Sequence, residues 1–102
     1  MILLDECLPK RLAKSLPGHD VRTVRQMNWL GLSNGKLLMP RLISTFITVD
    51  KNLVKQQSLD GRHLAVVVLR VMSNKIDDIS PLVPNVIAIL ADLKPGTVTT
   101  IP

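Results

Sequence analysis

The sequence predicts an α/β fold: a three-layer α/β/α sandwich around a central, mainly parallel sheet of about five strands. Three observations predict it. Short apolar runs alternate with amphipathic stretches, the pattern of successive βα units. Residues 1–4 and 64–69 are apolar at every position, as strands buried on both faces must be. Near the carboxyl end, Ile79, Leu82, Val83, Val86, Ile87 and Leu90 follow the spacing of one buried helical face. A chain of 102 residues is the length of one domain, so residues 1–102 are expected to share a single core.

Each element has its own justification. Residues 1–4 form the first strand, and Pro9 then opens a helix, because a missing N–H costs nothing in a first turn. Leu8, Leu12 and Leu16 share one face of that helix while Lys10, Arg11 and Lys14 lie elsewhere. Pro17 and Gly18 stop it, and residues 20–24 form a second strand. Ser33 caps a short helix through Leu37 and Leu38, which Pro40 interrupts. Residues 46–49 form a third strand, rich in β-favouring side chains. Residues 50–57 are helix formers and Asp60 with Gly61 makes a turn. The run 64–69 is the interior strand of the set. Pro81 suits the first turn of the last helix, and Pro84 kinks or divides it. Residues 97–101 close the chain as an edge strand.

Charge and composition narrow the function. Thirteen Lys and Arg against eight Asp and Glu leave a net charge of +5 and a pI near 9.9, which favours polyanionic partners such as RNA or DNA. Trp29 and Phe46 are the only Phe, Trp or Tyr residues, which argues against an RRM-like or OB-like stacking platform, so any contact with RNA or DNA is expected through phosphates. The longest apolar run is far short of a membrane span, and the acidic pair Asp5 and Glu6 follows the first four residues too closely for a secretory signal. With Cys7 as the lone cysteine, a cytoplasmic, reduced protein without membrane contact is expected. Two histidines and one cysteine argue against zinc, and no GxGxxG or Walker spacing supports a nucleotide cofactor.

Ligands of open parallel sheets bind at the edge where the strands end. Asp5 and Glu6 follow the first strand and Asp50 follows the third, so neighbouring strands would gather these carboxylates. Arg70, after the fourth strand, reaches the same edge. Clustered carboxylates repel, and a hard cation such as Mg²⁺ or Mn²⁺ relieves them with one or two protein oxygens plus waters and substrate phosphate. That chemistry suits phosphodiester cleavage, with Arg70, Lys51 and Lys10 drawing in phosphates. Structural readings stand beside it. Asp50 also suits an N-cap, Asp5 and Glu6 suit solvated loop positions, and Arg70 suits an ion pair. Cys7 has no evident base nearby, and His19 and His63 suit structural or exposed roles.

Several segments then resemble one family. Residues 3–9, Leu-Leu-Asp-Glu-Cys-Leu-Pro, resemble the opening LLDE-x-LP of compact bacterial PIN-like domains. Gly18-His19-Asp20-Val21, Thr23-Val24 and Trp29-x-Gly31-Leu32-Ser33-Asn34-Gly35 are similar to that family's next segment. Thr48-Val49-Asp50-Lys51-Asn52-Leu53 resembles its T-x-D-x-[DN]-[FL] motif. Ala65-Val66-Val67-Val68-Leu69-Arg70 and Pro81-Leu82-Val83-Pro84 complete a likeness over nearly the whole chain. The resemblance implies a PIN-like sandwich and an Mg²⁺- or Mn²⁺-dependent ribonuclease, often the toxin of a toxin–antitoxin pair. It implies Asp5, Glu6 and Asp50 as catalytic acids, with Asp5, Asp50, Asn34 and Asn52 at the metal. Many relatives carry aspartate at the positions of Asn34 and Asn52, and asparagine supplies oxygen without charge. Met39-Pro40-Arg41 also interrupts a usually longer helix. The implied partners are RNA, a small antitoxin protein and a second copy in a homodimer. The alternative is a non-catalytic PIN-like module with a degenerate metal site. A receiver-type phosphoacceptor shares the acidic pattern but expects a lysine after its fifth strand, where Pro102 stands.

Overall fold

The computed structural model describes residues 1–38, 40–52, 62–73 and 75–102. Five strands form one all-parallel sheet: β1 (Ile2–Leu4), β2 (Val21–Thr23), β3 (Thr45–Thr48), β4 (Ala65–Leu69) and β5 (Val98–Ile101). Their order across the sheet is β2-β1-β3-β4-β5. The chain moves from β1 out to β2, then returns past β1 to β3. That reversal of direction puts a topological switch point between β1 and β3.

Alternation along the strands divides the core in two. Leu4, Ile47, Val67 and Leu69 join one apolar cluster with Leu8, Leu12 and Leu16. Leu3, Phe46, Val66 and Val68 join the other with Val24, Leu37, Leu38 and Ile43. Successive residues of a strand point to opposite faces, so neither face of β1, β3 or β4 is open to water. Every residue of β4 is buried, the demand read from its unbroken apolar run. His63 closes the entry to β4, its Nε2 lying 2.7 Å from the Pro40 carbonyl oxygen.

Helical elements differ from expectation in detail. The segment after Pro9 is a 3₁₀ helix, Lys10–Ser15, rather than an α-helix. It has room for only two turns before Gly18 reverses the chain at φ +83°, too few to repay α-helix nucleation. Leu8, Leu12 and Leu16 are nevertheless all buried. Helix α1 (Asn34–Leu37) starts after Ser33, whose Oγ accepts the Lys36 N–H at 3.4 Å. Residues 53–61, with most of the expected helix after Asp50 and the Asp60–Gly61 turn, lie outside the described residues.

The expected carboxyl-terminal helix is three pieces: α2 (Ile76–Ile79), a 3₁₀ turn (Ser80–Leu82) and α3 (Val83–Leu90). Pro84 has no N–H to give the Ser80 carbonyl, and Val83 supplies the bond one residue early. A 3₁₀ turn rotates each residue further than an α turn, so the buried stripe shifts phase. Val83 and Val86 stay buried, but Ile87, expected on the same face, is 44% exposed. No described helix is long and apolar enough to cross a membrane.

Candidate functional site

The site grows from the register of β1 against β3. Leu4 stands opposite Ile47, and the ladder runs one residue beyond β1, with the Asp5 N–H donating to the Ile47 carbonyl at 3.0 Å. Asp5 therefore falls beside Thr48, and alternation turns both side chains to the same face. The Thr48 hydroxyl donates to Asp5 Oδ2 at 2.6 Å. Its oxygen accepts the Asp50 backbone N–H at 3.0 Å, so one hydroxyl links the two strand ends. Thr48 is completely buried and Asp5 is 8% exposed. A carboxyl group so enclosed needs its acceptors met. Asp5 Oδ1 accepts the Glu6 N–H at 2.8 Å, and the Asp5 carbonyl accepts from Leu8 N–H at 3.0 Å, which closes the turn that carries Glu6 and Cys7.

Cys7 lies against this group. Burial first, and then the negative charge of Asp5, push its thiol pKa above the ordinary value. The thiol is thus held protonated beside the carboxylate, the opposite of the environment that activates a nucleophile. Asp50 is half-buried, and its Oδ1 accepts the Asn52 N–H at 2.9 Å, an Asx turn that fixes the loop after β3.

Asp5 opens into a cavity of about 380 Å³ at the ends of β1 and β2, lined also by Glu6, Lys10, Thr23, Arg25 and Gln26. Thr23 and Gln26 shape its wall through reciprocal bonds: Thr23 N–H to Gln26 Oε1 at 2.9 Å, and Gln26 N–H to Thr23 Oγ1 at 3.0 Å. Asp50 is not part of this lining. Lys51 and Arg70 border a second cavity of about 320 Å³ over β3, β4 and β5. The sheet edge thus brings Asp5, Glu6 and Lys10 together, joins Asp50 to Asp5 through Thr48, and sets Lys51 and Arg70 apart. Asn52 lies exposed in the turn beside Asp50, and the expected role of the Asn34 side chain falls outside what is described. His19 is exposed, in the segment that precedes β2.

Thr48, Arg25 and Gln26 were not among the expected site residues. Thr48 carries a readable signal, since it stands two residues before Asp50 on a period-two strand. Arg25 and Gln26 belong to the loop after β2, for which no pattern is available. Among the described residues, no group of three or more His, Cys, Asp or Glu side chains converges to hold a metal ion. Comparisons with family models, with curated proteins and with solved structures find no match for this chain.

Proposed function

We propose that the chain is a metal-dependent RNA endonuclease of the compact PIN-like type, with a three-layer α/β/α build, serving as the toxin of a toxin–antitoxin pair. The observation that carries the reading is the enclosed Asp5 carboxylate. It stands at the switch point of a parallel sheet and is bonded through Thr48 to the strand end that bears Asp50. Two core clusters on opposite faces of the sheet support the three-layer build. A cytoplasmic location, an antitoxin partner and homodimer formation belong to the same proposal.

The donor set fits a hard cation of the Mg²⁺ or Mn²⁺ kind. The Asp5 oxygens accept from the Glu6 N–H and the Thr48 hydroxyl, and a carboxylate has about four acceptor positions to share between such donors and a cation. Asp5, Asp50 and the amide oxygen of Asn52 are hard ligands, and Mg²⁺ takes one or two carboxylates with waters rather than an all-protein cage. When bound, such an ion activates a water and steadies the leaving oxygen of a phosphodiester. The chain's own groups do the rest. Thr48 fixes the Asp5 rotamer, Glu6 stands at the cavity wall as a second acid, and Lys10 and Arg25 attract the RNA backbone.

Incubating labelled single-stranded RNA with the purified chain and Mn²⁺ or Mg²⁺ tests the proposal. Cleavage that stops with chelator and in Asp5→Asn is expected; intact RNA at millimolar metal contradicts it. A second reading, a non-catalytic PIN-like module that binds nucleic acid or protein, is favoured by uncharged Asn52 beside Asp50. Metal-independent, salt-sensitive RNA binding without turnover would select it.

A further inference from the structure

We propose that Lys51 and Arg70 form a separate phosphate subsite, which holds the RNA backbone at a second point along the same sheet edge. The inference rests on the RNA-binding part of the reading above but not on cleavage. Four observations point to it. Lys51 follows β3 and Arg70 follows β4, so both stand at the edge where parallel sheets take ligands. They share one cavity of about 320 Å³, and none of the described residues lining it is Asp or Glu. Both side chains are exposed, and the ion pair of Arg22 with Asp20 lies elsewhere. The other described lining residues are Val71, Met72 and Pro102, with Met72 97% exposed.

Neighbouring cations repel each other, and a bound phosphate relieves that repulsion. Arginine offers a planar fork that matches phosphate oxygens, and lysine adds a point charge. The spacing is informative as well. The first cavity lies over β1 and β2, the second over β3 to β5. At about 4.8 Å per strand their centres are roughly 10–15 Å apart. One phosphate cannot occupy both, whereas an extended single strand covers that distance in a few nucleotides. The flexible Met72 thioether suits the ribose or base between two phosphates.

Fluorescence anisotropy with single-stranded RNA, in chelator so that no cleavage intervenes, tests the subsite across a salt series. The variant is Lys51→Ala with Arg70→Ala. The control is Arg41→Ala with Lys94→Ala, which removes the same charge from loops preceding β3 and β5, at the opposite edge. The first pair is expected to bind roughly fivefold more weakly at 0.1 M salt and to flatten the slope of log K against log salt by about 0.7, the loss of one phosphate contact. The control pair should keep most of the affinity and the slope. Equal losses in both pairs, or no loss in the first, overturn the subsite. RNA binding in this assay together with intact RNA at millimolar Mn²⁺ removes the nuclease reading alone, whereas no RNA binding removes both.

Discussion

Thr48 and Asp5 show how a single hydroxyl organises a charged group. A carboxyl group that is 8% exposed needs donors for its oxygens, and Thr48 provides one of them. Thr48→Val keeps the shape and removes the donor, so chemical denaturation should show a loss of about 2 kcal/mol. Thr48→Ser keeps the hydroxyl and should lose about 1 kcal/mol or less. Equal losses in the two variants would mean that packing, not the bond to Asp5, holds Thr48 in place. Cys7 reports on the same carboxylate. Its thiol pKa is raised, so alkylation at pH 8 should be slow and should accelerate in Asp5→Asn, which removes the second cause of the shift. The sign for stability follows. The folded chain holds the thiol proton more tightly than the unfolded one, so this contribution is complete below the ordinary value of 9.0 and is lost as pH rises past it. An unchanged alkylation rate in Asp5→Asn would place the Asp5 charge away from the sulfur.

At the scale of elements, what was readable in the sequence depended on whether one residue's role needed its neighbours. Strand β4 is apolar at every position and was legible alone, because only an interior strand accepts such a run. Helix α3 was legible in existence but not in phase. The spacing places Ile87 on the buried face although Pro84 is expected to kink or divide the helix, and the 3₁₀ turn Ser80–Leu82 goes with an Ile87 that is 44% exposed. The consequence is measurable. Val86→Ala should cost about 2 kcal/mol in thermal or urea unfolding, while Ile87→Gln should stay within about 0.5 kcal/mol. The reverse order would restore the single continuous stripe.

For the whole molecule, strand order decides which charges meet. Asp5 and Asp50 are 45 positions apart in the chain, and only the adjacency of β1 and β3 links them. Spacing along the sequence could suggest that link, but the register that makes Thr48 the connector exists only in the paired sheet. The same order explains why Lys10 parts from Lys51 and Arg70. All three follow strand ends, yet the cavity with Lys10 lies over β1 and β2, and the other lies beyond them. Counting cations on an edge does not reveal which of them share a pocket.

The claim on which the functional reading depends is that these two strand ends form one divalent-cation site, and a thermal-unfolding titration with Mn²⁺ addresses it most directly. Binding to the folded chain alone raises stability by RT ln(1 + [L]/Kd), so a tenfold excess over Kd adds about 1.4 kcal/mol. For a chain of this size that corresponds to roughly 5–10 °C in Tm. The wild-type chain should show a saturable rise, smaller in Asp5→Asn or Asp50→Asn and absent when both are replaced. A flat titration at millimolar Mn²⁺, or an equal rise in the double variant, would contradict the account.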